Sequence, residues 1–151
     1  MKHYVLAALV LAALGGCSSK EDGPQTVAAA FNQDFALHYR QSASLPAAAS
    51  PPELTIAVAE LDYSICPKNV NCIAPDYAAP TLTITAANGQ PQQLKLPVEG
   101  VRPYSPTWID TASVRANGRR YVVYYRSWTA ARSKDTPGKA DIILNLRVAR
   151  P

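Results

Sequence analysis

Three cysteines carry the most versatile chemistry in this sequence, and two of them lie close together. Cys66 and Cys72 are six positions apart in the stretch SICPKNVNC. Two thiols at this spacing can belong to a metal site, form a redox couple, or close a loop as a disulfide. The spacing alone does not decide between these chemistries, because the state of a thiol depends on its compartment.

The N-terminal residues predict that the protein is exported. Lys2 precedes an apolar run of eleven residues, 4–14, which is followed by Gly15-Gly16. This order of basic, apolar and small residues is typical of a secretory signal. The run is too short for a membrane-spanning helix, which needs about 20 residues. The segment Leu14-Gly15-Gly16-Cys17 resembles the lipobox of bacterial lipoproteins, in which the cysteine is lipidated and becomes the first residue after cleavage.

The lipobox resemblance implies several acyl chains on Cys17 and an anchor in the membrane. Each buried methylene contributes about 0.8 kcal/mol, so several chains hold a protein firmly. Ser18 stands where an aspartate would often signal retention in the inner membrane, which favours the outer membrane. Lys20-Glu21-Asp22 resembles a tag that exports some lipoproteins to the cell surface, with an ordinary polar tether as the alternative. We expect the periplasmic face or the cell surface, with the surface slightly favoured.

Export bears on the chemistry of Cys66 and Cys72. Thiols oxidise outside the cytoplasm, and acylation of Cys17 leaves an even number of them. A zinc site needs four ligands, whereas the chain after residue 16 adds only His38 to the two cysteines. We predict a Cys66–Cys72 disulfide that fixes the shape of a short loop, with free or metal-bound thiols as the alternatives. We predict no metal site and no cofactor.

The segments around this loop have the patterns of β-strands. Apolar residues alternate with polar ones in 53–58, 81–85 and 141–148, which predicts strands with one buried face. Two Asn-Gly pairs, at 88–89 and 117–118, predict hairpins with type I′ turns. Residues 26–40 are ambiguous, since their apolar positions fit a strand or a helix.

About seven short strands separated by turns predict an all-β fold. We expect a single antiparallel β-sandwich of immunoglobulin-like size, with a small β-barrel as the alternative. The predicted organisation is a lipoprotein signal peptide at 1–16, a lipidated cysteine with a flexible tether at 17–32, and the sandwich at 33–151.

These landmarks together resemble a group of uncharacterised bacterial lipoproteins. The pattern of that group is a Phe-x-Leu strand ending in Gln-Ser-Ala, an alternating strand, Asp-Ser-Arg-Cys-Pro and Val-x-Cys. The matching segments are Phe35-Ala36-Leu37, Gln41-Ser42-Ala43, Leu54 to Val58, Asp62 to Pro67, and Val70-Asn71-Cys72. An inserted Tyr63 and Ile65 depart from the Ser-Arg of the pattern. The resemblance implies a fold and a location in the cell envelope, but it implies no activity.

Positive charge is concentrated in the second half of the chain. Residues 24–101 contain three Lys or Arg against six Asp or Glu, a net charge of −3, whereas 102–151 contain ten against three, a net charge of +7. Such an asymmetry bears on partners rather than on fold.

A hairpin and a loop in this half predict an exposed basic face for an anionic ligand. Its candidate residues are Arg119, Arg120, Arg126, Lys134 and Lys139. Alternation along the strand places Tyr121, Val123 and Tyr125 on one face. It places Arg120, Val122, Tyr124 and Arg126 on the other. Guanidinium groups pair with phosphate and carboxylate, which predicts weak binding of an anionic glycan or envelope polymer. The alternative is a core strand with solvated arginines.

Motifs of known enzymes are missing from the sequence. It contains no GxSxG, no HExxH and no phosphate-binding glycine loop. His38 falls in a predicted strand, where we interpret it as structural. We therefore predict no catalytic residues and a non-enzymatic binding or accessory module, with no nucleic acid among its partners. The alternative is an inhibitor of a secreted hydrolase, a protease or a lysozyme, that presents the loop 64–77.

Overall fold

β-Strands form most of the computed structural model, which describes residues 25–99, 109–131 and 135–150. These ranges contain nine strands and a short 3-10 helix at Lys139–Asp141. The strands are β1 (Thr26–Ala28), β2 (Asp34–His38), β3 (Ser42–Leu45), β4 (Leu54–Ser64), β5 (Tyr77–Ala86), β6 (Pro91–Lys95), β7 (Asp110–Ala116), β8 (Arg119–Ala130) and β9 (Ile142–Ala149).

The strands form two sheets that enclose one core. The five-stranded sheet has the order β1-β3-β4-β5-β6, and the four-stranded sheet has the order β2-β9-β8-β7. The prediction of an all-β sandwich is confirmed, and the sheets do not close into a barrel. Two details differ from expectation: the described residues contain nine strands rather than about seven, and β1 pairs parallel with β3.

The ambiguous segment 26–40 forms strands. Asn32 has a φ angle of 63°, a left-handed conformation that ends any helix, so the helical spacing of apolar residues has no effect here. The N–H of Asn32 donates to the carbonyl of Val148 at 2.8 Å, where the chain crosses between the sheets. Ordered structure therefore extends into 17–32, the range predicted as tether, since β1 is paired and Ala29 is buried.

The two Asn-Gly hairpins differ. Asn117 and Gly118 have φ angles of 52° and 70°, which confirms the type I′ turn between β7 and β8. The same prediction is wrong for Asn88-Gly89, because only Gly89 has a positive φ angle, 78°. There the side chain of Asn88 accepts the N–H of Gln90 at 3.2 Å, and the N–H of Gly89 donates to Ala86 at 2.8 Å. The result is a three-residue loop with a left-handed glycine at its end.

Alternating side chains fill the space between the sheets. The buried positions of β8 are Tyr121, Val123 and Tyr125, as the strand pattern predicts. Tyr125 joins the two sheets, because its hydroxyl donates to the carbonyl of Ala78 in β5 at 2.7 Å. Burial raises the pKa of this phenol. The core therefore determines which side chains of β8 face outward.

Candidate functional site

Four arginines of the described residues lie on the outer face of the four-stranded sheet. Burial of the alternate residues of β7, β8 and β9 leaves the other positions of each strand pointing outward. We define the arginine face as Arg115, Arg120, Arg126 and Arg147 around Tyr124. Cross-strand register places Arg115 opposite Arg120 and Tyr124 opposite Arg147. Three neighbouring strands thus bring guanidinium groups to one surface.

A β-bulge and an aspartate organise one end of the arginine face. The register of β8 and β9 shifts between Tyr125 and Ser127, so Arg126 is an extra residue on the outward side. Asp34 of β2 lies 2.7 Å from Nε of Arg147 and 4.0 Å from Nε of Arg126. The hydrogen bond from Arg147 lowers the pKa of the Asp34 carboxyl. This end of the face is therefore partly neutralised.

The other end of the face has no such compensation. Arg115 and Arg120 are exposed, and neither forms an ion pair with an acid among residues 25–99, 109–131 and 135–150. Arg120 instead donates to the hydroxyl of Ser113 at 2.8 Å. Excess positive charge is thus concentrated where β7 and β8 meet their hairpin.

The structure separates the residues that the sequence grouped as one basic face. Arg120 and Arg126 lie on the arginine face. Arg119 lies in the hairpin with Nη1 3.9 Å from Glu53, and Lys139 lies toward the far end of β8, 3.5 Å from Glu60 and over the ring of Tyr39. Lys134 and Cys17, the predicted lipidation residue, are outside the described residues.

Sequence reasoning missed Arg115 and Arg147. Both could have been found from alternation, since their strand neighbours Val114, Leu146 and Val148 are apolar and point inward. What alternation could not show is that β7 and β9 flank β8 in one sheet.

Glu53 forms ion pairs with two further arginines near the hairpin. Its carboxylate accepts the hydroxyl of Tyr121 and lies 3.1 Å from Arg150 and 3.9 Å from Arg119. The hydrogen bond from Tyr121 is the main reason that the pKa of Glu53 is lowered. Phe31 stacks on Tyr121 with ring centroids 5.8 Å apart. Because the Glu53 carboxylate lies near both guanidinium groups, we do not count Arg119 and Arg150 with the arginine face.

The disulfide prediction is confirmed, and the bond closes an exposed loop. Cys66 and Cys72 are joined with Cα atoms 5.9 Å apart, between the end of β4 and the start of β5. The carboxylate of Asp76 accepts the N–H of Cys66 at 2.7 Å, which ties the two ends of the loop together. We define residues 65–76 as the stapled loop. It exposes two large apolar side chains, Val70 at 56% and Ile73 at 105%.

His38, the only histidine after residue 16, serves the fold in this structure. Its Nδ1 lies 3.2 Å from the carbonyl of Ala140, where β2 meets the 3-10 helix. The described part of the chain contains no group of three His, Cys, Asp or Glu residues that could hold a metal. It also contains no helix with the length and apolarity needed to cross a membrane. No family model, curated protein or solved structure matches this chain.

Proposed function

We propose that this protein is a lipid-anchored lipoprotein of the outer membrane, and that its sandwich is a non-enzymatic module binding an anionic envelope polymer. The observation that carries the binding function is the arginine face, where four guanidinium groups share one outer surface. Asp34 is the only acid of the described residues that forms an ion pair with any of them, and it reaches only Arg126 and Arg147. The signal sequence and the lipobox-like segment at Cys17 support the address. The periplasmic face and the cell surface are both compatible with such a ligand.

The shape of the arginine face suits a polymer better than a small molecule. Arg120 and Arg126 are six residues apart along β8, about 20 Å at the rise of a strand. Guanidinium groups pair with phosphate, sulfate or carboxylate in planar geometry. A chain with repeated charges can therefore contact several arginines at once. None of these side chains is part of the core, so the sheet does not require them for its packing.

The first test measures binding of full-length protein in detergent to heparin as a model polyanion. We expect affinity to fall by between tenfold and hundredfold, roughly, from about 50 to about 200 mM salt, because bound counterions are displaced. Replacing all four residues of the arginine face by glutamine should remove detectable binding. Thermal stability should change little, because exposed ion pairs contribute little to folding.

A matched variant controls for net charge. In this variant, glutamine replaces four cationic residues that lie off the arginine face. They are Arg40, Lys68, Lys95 and Lys139. Its net charge equals that of the first variant, but its affinity for heparin should remain within about threefold of the unmodified protein if the face is the site. Equal loss in both variants, or binding that persists at high salt, would contradict the proposed function.

The stapled loop favours a second candidate function, inhibition of a secreted hydrolase. A loop closed by a disulfide and carrying Pro67 and Pro75 loses little conformational entropy on binding. Its exposed Val70 and Ile73 could fill apolar pockets in the cleft of a protease or a lysozyme.

An enzyme panel tests this second candidate. We expect nanomolar inhibition of at least one protease or lysozyme, weakened about 30-fold when Val70 and Ile73 are both replaced by serine. Val98→Ser is the matched control, since Val98 is also exposed, at 58%, but lies outside the stapled loop. Absence of inhibition across the panel, or equal effects of the loop and control variants, would reject this candidate.

A further inference from the structure

Arg115 and Arg120 form a cross-strand pair of like charges. They lie directly opposite each other beside the two-residue hairpin. The carbonyl of Arg115 accepts a hydrogen bond from Nε2 of Gln92 at 2.6 Å. Because Gln92 belongs to β6, the hydrogen-bonding groups of the Arg115 backbone point away from β8. A pair oriented in this way is not hydrogen-bonded, and its Cα atoms lie about 4.5 Å apart with their side chains close together.

Such a pair costs free energy unless an anion lies between its members. Like charges directly opposite each other destabilise an antiparallel pair of strands. At the other end of the arginine face, Arg126 and Arg147 share Asp34, but no described residue plays that part for Arg115 and Arg120. Both side chains are exposed and outside the core. The pair therefore has the positive charge that an anion site needs, without an acidic side chain to neutralise it among the described residues.

Ser113 supplies a third group on the same surface. Its Oγ accepts a hydrogen bond from Nη2 of Arg120 at 2.8 Å. A hydroxyl that accepts a hydrogen bond still has its own hydrogen to donate. The bond also places the guanidinium of Arg120 beside Ser113 of β7, a strand in which Ser113 and Arg115 are both exposed positions. The cluster consequently offers two guanidinium forks and one O–H.

We propose that Arg115, Arg120 and Ser113 form a clamp for one tetrahedral oxyanion, a phosphoryl or sulfuryl group. Two guanidinium groups and one hydroxyl match an anion with three or more acceptor oxygens better than a carboxylate, which has two. The clamp deepens the proposed function, on which it rests for its ligand, by naming the charged group of the polymer that the face recognises.

Titration of full-length protein in detergent tests the clamp, with inorganic phosphate, sulfate and acetate as probes at constant ionic strength. The side-chain Nε–H signals of the arginines are followed by NMR. We expect saturable shifts for Arg115 and Arg120 with phosphate or sulfate, and at least tenfold weaker binding of acetate. Tighter phosphate than sulfate binding would identify a phosphoryl group, and the reverse order a sulfuryl group.

Single variants separate the clamp from general charge. Arg115→Gln and Arg120→Gln should each weaken oxyanion binding at least tenfold, and Arg120→Lys should not restore it because an ammonium lacks the planar fork. Arg40→Gln is the control, since it removes one charge from an exposed arginine off the arginine face and should change affinity less than twofold. Equal binding of acetate, unsaturable shifts, or an equal effect of Arg40→Gln would overturn the clamp.

The clamp and the proposed function can fail independently. If the clamp variants still bind phosphate while heparin binding depends on the arginine face, the clamp is wrong and the proposed function stands. If the unmodified protein binds phosphate saturably but no polyanion at any salt concentration, the proposed function is wrong and the clamp stands.

Discussion

Replacing Tyr125 by alanine is expected to lower the free energy of unfolding by about 4 kcal/mol, whereas Tyr124→Ala should cost less than about 1 kcal/mol. The two tyrosines are neighbours in β8 but lie on opposite sides of the sheet. Tyr125 is fully buried and its hydroxyl reaches Ala78 in the facing sheet. Its removal creates a cavity and leaves a buried carbonyl without a donor, while Tyr124 is only partly covered.

Urea unfolding of full-length protein, followed by circular dichroism, measures both effects. Tyr125→Phe separates the hydrogen bond from the cavity and should cost about 1 to 3 kcal/mol, because the carbonyl of Ala78 stays buried and unpaired. Similar losses for Tyr124→Ala and Tyr125→Ala would show that the assignment of the two faces of β8 is wrong. The arginine face would then lose its structural basis.

Replacing Cys17 by serine should abolish acyl labelling and release the protein from the membrane fraction. A serine has no thiol to carry the acyl chains, whose buried methylenes would supply the affinity for the bilayer at about 0.8 kcal/mol each. The measurement is incorporation of radiolabelled palmitate, together with fractionation of cells that express the variant. The expected change is all-or-none rather than graded.

Cys66→Ser is the matched control for the lipidation experiment. It also removes one cysteine, but from the disulfide of the stapled loop, so acyl labelling should be retained. Loss of this bond should destabilise the domain by only about 2 kcal/mol, because the closed loop is short. A Cys17→Ser protein that remained acylated, or uncleaved and membrane-bound, would contradict the proposed address.

Local patterns in the sequence were sufficient for the fold class and for the faces of individual strands. Alternation predicted the buried and outward residues of β8 because successive side chains of a strand point to opposite sides. The Asn117-Gly118 turn was predictable because few other residue pairs adopt two left-handed conformations. The disulfide was predicted from an even number of cysteines after residue 17, on the expectation that the protein is exported.

Pro80 shows where local rules were insufficient. The sequence predicted a strand at 81–85, but β5 begins at Tyr77 and continues through Pro80. The carbonyl of Pro80 accepts the N–H of Leu96, just beyond the end of β6. The backbone N and O of a residue in an antiparallel strand point to the same neighbouring strand. The nitrogen of Pro80, which has no hydrogen to donate, therefore points to a position just beyond the end of β6, where the strand needs no further hydrogen bond.

Only the tertiary structure decided which charges meet. Alternation assigns a residue to a side of its own strand, but it does not identify the neighbouring strand. Asp34 reaches Arg147 across 113 positions, and Glu53 reaches Arg150 across 97. These long-range pairs neutralise Arg147 and Arg150, whereas Arg115 and Arg120 meet each other instead. The number of arginines is a property of the sequence, but strand order determines which of them face an acid and which remain available to a ligand.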